Sequence, residues 1–185
     1  MTTPAQSIPN FIAGYGPQQA DMETLWANAA AFFQQRVVFR ASQTTTATTL
    51  PSTGVVTQIL YDNIIEDPHA GWNAGTKYWV CPAGCQGWYQ VTTTLYVTGS
   101  GGPAQEIVCT YVQTPNGTGN PVNGIPLVLT VIPASPSGGE ATTYVYLNAG
   151  DSVGGAGAVF NSSLNLTTDL TAGQNSTIEV IWITG

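Results

Sequence analysis

An aromatic segment followed by a long Thr-rich strand constrains this chain more than any other feature of its sequence. Residues 61–89 carry Trp72, Trp79 and Trp88 among Gly and Pro, and residues 90–97 then read Gln-Val-Thr-Thr-Thr-Leu-Tyr-Val. A tight turn held by aromatic side chains before an alternating strand is typical of the core of an antiparallel β-barrel or sandwich. This segment therefore predicts an all-β fold.

Further period-two segments, separated by Gly, Pro and Asn, extend this interpretation over most of the chain. Strands are predicted at residues 36–41, 55–61, 78–81, 87–98, 106–113, 126–132, 142–147, 152–160 and 177–184. Loops are predicted at 99–103, 115–121 and 135–139, with a polar linker or edge at 44–51. About eight to ten short strands with almost no helix indicate an antiparallel β-sandwich or jelly roll, here a head domain over residues 36–185.

The N-terminal residues differ from this pattern. Residues 1–16 predict an extended anchoring arm, in which apolar side chains lie among Pro and Gly: Ile8, Phe11, Ile12 and Tyr15. Residues 17–35 predict a helix, because Pro17 and the acids after it suit a helix N-terminus. The apolar stripe of that helix has heptad-like spacing and consists of Met22, Leu25, Trp26, Ala29, Phe32 and Phe33. It packs either on its own domain or around a three-fold axis.

Charge is scarce, and its balance excludes several classes of partner. Three Lys and Arg residues stand against ten Asp and Glu residues, for a net charge of −7. Nucleic-acid binding needs several cations on one face, so no nucleic acid is predicted as a partner. No apolar run is long enough to span a bilayer, so no membrane insertion is predicted. Without a secretory signal, and with an odd number of cysteines, the chain is expected to be made in a reducing cytosol.

Patterns for catalysis and metal binding are weak. His69 is the only histidine, and neither a nucleophile elbow nor a phosphate loop is present, so we predict no enzyme and no cofactor. Cys81, Cys85 and Cys109 are interpreted as small buried hydrophobic residues in preference to a zinc site with His69. Four acids are candidate ligands of a calcium loop, but they lack the ladder of an EF-hand: Asp62, Glu66, Asp67 and Asp151. Asp151 is more simply a turn acid that caps backbone N–H groups.

The aromatic side chains of the central segment have two interpretations. They are Trp72, Tyr78, Trp79, Trp88 and Tyr89. Exposed rings stack on sugars, which would make a glycan-binding site. The favoured alternative is packing in the core and at a subunit interface.

Short motifs resemble the complement globular-head and tumour-necrosis-factor-like superfamily. Phe39-Arg40-Ala41 resembles the start of its first strand, and Ile59-Leu60-Tyr61-Asp62 the end of its second. Its aromatic turn is matched in order by Trp72, Gly75, Trp79, Pro82, Gly87 and Tyr89. Its late Leu-x-x-Gly-Asp-x-Val element is matched by Leu147, Gly150, Asp151 and Val153. The sequence departs from the family in a longer Pro82–Gly87 spacing and in the ending of its last strand.

The resemblance implies a trimeric jelly roll that binds other molecules rather than catalysing a reaction. An unsecreted chain with an N-terminal arm, a helix and no collagen-like repeat is similar to the branch found in bacteriophage virion proteins. We therefore expect a virion protein, a homotrimeric minor tail or tail-tip component whose arm contacts other tail or capsid proteins. The alternatives are a capsid decoration or head-fibre protein, and a glycan-binding adhesin head that contacts the host surface.

Overall fold

Thirteen β-strands occur in the part of the chain that a computed structural model describes, namely residue 23 and residues 38–98, 106–114, 127–129, 137–160 and 164–184. The strands are β1 (Val38–Ser42), β2 (Thr49–Leu50), β3 (Thr57–Gln58), β4 (Asn63–Glu66), β5 (Trp72–Asn73), β6 (Tyr78–Val80), β7 (Gly87–Thr98), β8 (Glu106–Thr114), β9 (Leu127–Leu129), β10 (Ser137–Leu147), β11 (Ser152–Phe160), β12 (Leu166–Thr168) and β13 (Thr177–Thr184). They belong to Val37–Gly185, one of two units into which the chain divides. The predicted arm and the apolar stripe of the predicted helix lie outside the described residues.

The described strands pair antiparallel in two sheets. The first sheet has seven strands, in the order β2-β12-β7-β13-β1-β4, and β10 pairs with β7 as well. Since β10 and β13 pair with the same residues of β7, they lie on opposite sides of it. The second sheet has six strands, in the order β5-β6-β11-β8-β9, and β3 pairs with β11. The prediction of an all-β antiparallel fold is confirmed, and nothing helical in the described ranges could cross a bilayer.

Alternation along β7 separates the core from the surface of the first sheet. Its odd-numbered positions from 87 to 97 are buried, and its even-numbered positions are half-buried or exposed. This is the period-two pattern of a strand with one covered face. The core draws on both sheets and on the segments between them: Phe39, Ala41, Leu50, Ile59, Tyr61, Trp79, Cys81, Tyr89, Val91, Leu95, Val97, Ala141, Val145, Leu147, Val153, Val159, Leu166, Ile178 and Val180.

Small residues allow β11 to be buried on both of its faces. Residues 152–159 are all buried. On one face the Tyr61 ring lies against Gly155, and on the other face Tyr78 lies so close to Gly154 that a Cβ there would be 2.6 Å from the ring. A strand glycine often marks such a close approach. The run Val-Gly-Gly-Ala-Gly-Ala-Val therefore brings neighbouring side chains directly onto the backbone of the central strand of the second sheet.

Several strand predictions are confirmed, and others are wrong in extent. The predicted bounds of β7, β11 and β13 are those of the structure. The predicted strand 55–61 is wrong, because only Thr57–Gln58 pairs, with β11. Part of the predicted loop 135–139 is also wrong, since β10 begins at Ser137 and pairs with Val97.

Three short strands were not predicted as separate elements. β4 and β12 pair with the ends or edges of longer strands, and β5 pairs with β6 through Trp72 and Trp79. The segment 44–51 contributes an edge, since Thr49–Leu50 pairs with β12. Each of these elements is two to four residues long, too short for alternation to be recognised in a sequence.

Candidate functional site

The outward surface of the first sheet is formed by β10, β7 and β13. β10 pairs with β7 from Gly87 to Val97, and β13 pairs with the other edge of β7 from Trp88 to Thr94. Because successive side chains point to opposite faces, the outward residues of β7 meet outward residues of β10. The directly opposed outward pairs include Trp88–Tyr146, Gln90–Tyr144 and Thr92–Thr142.

Three exposed aromatic side chains on this surface form what we call the aromatic face: Trp88, Tyr144 and Tyr146. Their exposed fractions are 49%, 61% and 44%. The rings of Trp88 and Tyr146 meet edge to face, with centroids 5.7 Å apart. Ile183, itself 42% exposed, lies at the register shift of β13 beside the residue that pairs with Trp88. Exposed aromatic side chains grouped on one face make this surface a candidate interaction site.

Three charged residues of the first sheet lie close together. Arg40 forms an ion pair with Glu179, its partner in the β1–β13 register. Its guanidinium also lies 3.8 Å from the carboxylate of Glu66 on β4. Exposed pairs of this kind contribute little to stability. Glu140 on β10 is a further exposed acid, opposite Thr94 of β7, so acidic side chains outnumber basic ones on this surface beside the aromatic face.

The five aromatic residues singled out in the sequence do not form one cluster. Trp79 and Tyr89 are buried, with ring centroids 5.6 Å apart, and Phe39 stacks between Trp79 and Trp72. Tyr78 is half-buried over β11, and Trp88 is on the aromatic face. Sequence analysis missed Tyr144 and Tyr146 as site residues. The signal was present, since alternate positions of the predicted strand 142–147 must share one face.

Asp62 organises the loop that precedes β2. Its carboxylate accepts hydrogen bonds from the backbone N–H groups of Thr44, Thr45 and Thr46, at 2.8, 2.8 and 2.6 Å. The hydroxyls of Thr44 and Thr45 donate as well. Partial burial raises the pKa of Asp62, but these hydrogen bonds outweigh it and hold the pKa well below its usual range. Such a carboxylate is saturated by donors, unlike a calcium ligand.

Asp67 plays the same part in the aromatic turn. Its carboxylate accepts hydrogen bonds from the N–H groups of Gly71 at 3.0 Å and Trp72 at 2.8 Å. The indole N–H of Trp79 donates to it at 3.2 Å. One acid thus fixes both the turn and the orientation of the largest core side chain.

Comparisons with known proteins identify the architecture. Neither protein-family models nor curated protein sequences match the chain. Among solved structures, the globular domain of zebrafish complement 1qA protein superposes with a TM-score of 0.54 at 12% identity, over 80% of this chain and 97% of that one. Eiger TNF from S. frugiperda gives 0.53 at 11%, over 80% and 93% of the two chains. Murine APRIL gives 0.50 at 9%, over 80% and 100%.

The chain has the C1q/TNF jelly-roll fold. The jelly-roll prediction is therefore confirmed, and at these identities the similarity concerns the fold alone. Two of the four motifs that carried the resemblance, the aromatic turn and the late Leu-x-x-Gly-Asp-x-Val element, meet at one end of the sandwich. There the Cys81 N–H donates to the Asp151 carbonyl at 2.7 Å, and the Gly150 N–H donates to the Cys81 carbonyl at 2.9 Å.

Asp151 caps the late turn of the jelly roll. Its buried carboxylate accepts hydrogen bonds from the backbone N–H of Asn148 at 2.9 Å and from the Asn148 side-chain amide at 3.1 Å. Gly150 has a φ of 89°, which the turn requires and which L side chains rarely adopt. The prediction that Asp151 is a turn acid is confirmed.

The jelly roll brings together no metal-binding cluster among its described residues. No group of three or more His, Cys, Asp or Glu side chains in these ranges is placed to hold a metal ion. Asp62, Asp67 and Asp151, three of the four candidate calcium ligands, accept hydrogen bonds from N–H groups, and Glu66 faces Arg40. The three Asp carboxylates thus serve as hydrogen-bond acceptors within turns and loops.

Proposed function

We propose that this chain is a non-enzymatic structural protein of a bacteriophage virion that self-associates as a homotrimer through its aromatic face. The observation that carries self-association is the exposure of Trp88, Tyr144 and Tyr146 on one face of a seven-stranded sheet. Tyr and Trp are enriched at protein interfaces, because they bury large apolar area while their polar atoms keep hydrogen-bond partners. Trimeric stoichiometry rests on the family resemblance.

Composition supports a role in an assembly. Only 7% of the residues are charged, against about a quarter in typical soluble domains. The cores of protein interfaces are depleted of charged residues, so a surface with few charges suits burial against a second copy of the chain. Association of the aromatic faces would remove that surface from water and leave the paired Arg40 and Glu179 at the margin of the contact.

Variants of the aromatic face test self-association directly. Replacing Trp88 and Tyr146 together with Ser should shift the sedimentation coefficient to that of a monomer at micromolar concentration. Val55→Ser is a matched control, because Val55 is 55% exposed but precedes β3 of the second sheet. An oligomer that survives the double change, or one that Val55→Ser also dissociates, would remove the aromatic face as the interface.

The place in the virion is the finer part of the proposal. We assign the chain to the tail, as a minor tail or tail-tip protein, and the capsid is the alternative location. In either place, residues 1–16 would form the arm that anchors the chain. The apolar residues Ile8, Phe11, Ile12 and Tyr15 support this role, since they are too few to fold alone. Deleting residues 1–16 should leave a folded head that no longer enters particles. Incorporation at normal copy number would show that the head carries the attachment surface.

Glycan binding is a second candidate function of the same surface. Trp88 presents about half of its area to solvent beside Gln90 and Tyr144, and an exposed ring with neighbouring polar groups suits a sugar face. A glycan array probed with the purified oligomer tests it. Binding that Trp88→Ala abolishes without changing the oligomeric state would favour an adhesin head over a purely structural one.

A further inference from the structure

Two free cysteines lie close together at the end of the sandwich where the motif turns meet. Cys81 follows β6, and Cys85 precedes β7. The segment between them turns back on itself, because the Cys85 N–H donates to the Pro82 carbonyl at 3.1 Å and Gly84 has a φ of 81°. The Cys81 thiol lies 3.3 Å from the Cys85 carbonyl oxygen. The sulfur of one cysteine is thus already against the backbone of the other.

The surroundings hold Cys81 in place and leave Cys85 accessible. Cys81 is buried, its backbone is bonded on both sides to the Gly150–Asp151 turn, and its Sγ lies 3.6 Å from the Tyr89 hydroxyl. Tyr89 also donates a hydrogen bond to the Cys85 carbonyl. Cys85 is half-buried. A disulfide requires the two sulfurs to come within about 2.05 Å of each other, and the Cys81 sulfur already lies against the Cys85 backbone.

We propose that Cys81 and Cys85 close an intramolecular disulfide when the chain meets an oxidising disulfide such as glutathione disulfide. The Cys85 thiolate attacks one sulfur of the oxidant and releases one glutathione thiolate. The Cys81 thiolate then attacks the Cys85 sulfur of the mixed disulfide and releases the second glutathione. Two protein thiols are oxidised, one glutathione disulfide is reduced, and the two protons pass to the released thiolates.

Closing this ring would rigidify one wall of a surface groove. The groove has a volume of about 460 Å³, and its lining includes Cys81, Pro82, Ala83 and Gly150. The bridge would also fix the turn that leads into Gly87 and the aromatic face at Trp88. A disulfide therefore couples the redox state of the surroundings to the rigidity of this end of the head.

Intact-mass analysis after alkylation tests the proposal. The Cys109→Ser chain is incubated with glutathione disulfide, quenched with acid, and alkylated with N-ethylmaleimide in denaturant. We expect no adducts after oxidation, two adducts after reduction, and a loss of two hydrogen atoms in mass on oxidation. Two adducts after oxidation, a chain that carries glutathione, or a disulfide-linked dimer would each overturn the proposal.

Further measurements keep the test valid if the Cys109→Ser chain folds poorly. In wild-type protein, peptide mapping under non-reducing conditions should recover a peptide with Cys81 joined to Cys85, and a Cys109 linkage instead would contradict it. The oxidised chain should melt about 2–6 °C above the reduced one, because the bridge restricts the unfolded state. Cys85→Ser in the Cys109→Ser background should keep one reactive thiol and show no such rise. A rise that persists in that variant would overturn the assignment.

Discussion

The hydroxyl end of Tyr61 fills the space beside Gly155 in which the Cβ of any other residue would lie. Tyr61 leaves the segment between β3 and β4 and enters the core, where its hydroxyl donates a hydrogen bond to the Thr177 carbonyl at 3.2 Å. Gly155 belongs to β11 of the second sheet, and Thr177 begins β13 of the first. One tyrosine therefore joins the two sheets, and the absence of a side chain at position 155 makes room for it.

Gly155→Ala should destabilise the fold. A Cβ at this position would overlap the Tyr61 hydroxyl and lie 3.0 Å from its Cζ, and overpacking of this kind costs about 1–3 kcal/mol. Urea denaturation should show that loss, and adding Tyr61→Phe should recover part of it. Gly75→Ala is the control, since Gly75 is exposed and its loss should cost about 0.5 kcal/mol or less. Equal stabilities of the two alanine variants would contradict the packing described.

Asp62→Asn should weaken the loop before β2. The change removes the charge from hydrogen bonds donated by the backbone of Thr44, Thr45 and Thr46. We expect the free energy of unfolding at pH 7 to fall by about 1.5–3 kcal/mol, the usual range for hydrogen bonds to a charged group. Glu140→Gln, at an exposed acid on β10, is the matched control and should change stability little.

The same carboxylate makes stability depend on acid pH. Because the pKa of Asp62 is lower in the folded state than in the unfolded chain, its contribution is fully present above the unfolded value, about 3.9. It is lost as pH falls below that value toward the folded pKa. The stability difference between wild type and Asp62→Asn should therefore shrink between about pH 4 and pH 2. A difference that stays constant or grows on acidification would show that the negative charge of Asp62 does not stabilise the loop.

Asp67→Ala should loosen the aromatic turn and the core together. It removes the acceptor of the Gly71 and Trp72 N–H groups and of the buried Trp79 indole. Unpaired buried donors cost about 1–3 kcal/mol each, so we expect a loss of at least about 2 kcal/mol. Near-ultraviolet circular dichroism should also change. Glu66→Ala, at the exposed neighbouring acid, should leave that spectrum unaltered. If the Asp67→Ala and Glu66→Ala variants gave the same spectrum, Asp67 would not hold the aromatic turn and Trp79 in place.

Long alternating strands could be predicted from the sequence, and short paired ones could not. In β7 every second residue is apolar or small, so one covered face follows from the sequence. β10 begins five residues before the predicted strand. The prediction missed these residues because the sequence Ser137-Gly138-Gly139 is typical of a loop. The Tyr96 ring lies against Gly138, where no side chain competes for the space. Pairing with β7 thus overrides the local preference of Ser and Gly.

The candidate site was predictable in part. Trp88 was recognised as an aromatic of the central segment, but its sequence neighbours Trp79 and Tyr89 face the core. Its spatial partner is Tyr146, fifty-eight positions along the chain on β10. Only the register between β7 and β10 places those two rings together. Strand register is a property of long-range pairing, which single-sequence patterns do not contain.

The mass of the oligomer that the purified chain forms in solution tests the central claim most directly. Native mass spectrometry or sedimentation equilibrium of the full chain at micromolar concentration should give about 58 kDa, three times the 19.3 kDa of one chain. The Trp88→Ser, Tyr146→Ser double variant should give the mass of one chain. A wild-type mass of 19.3 kDa, or a trimer that the double variant leaves intact, would contradict self-association through the aromatic face.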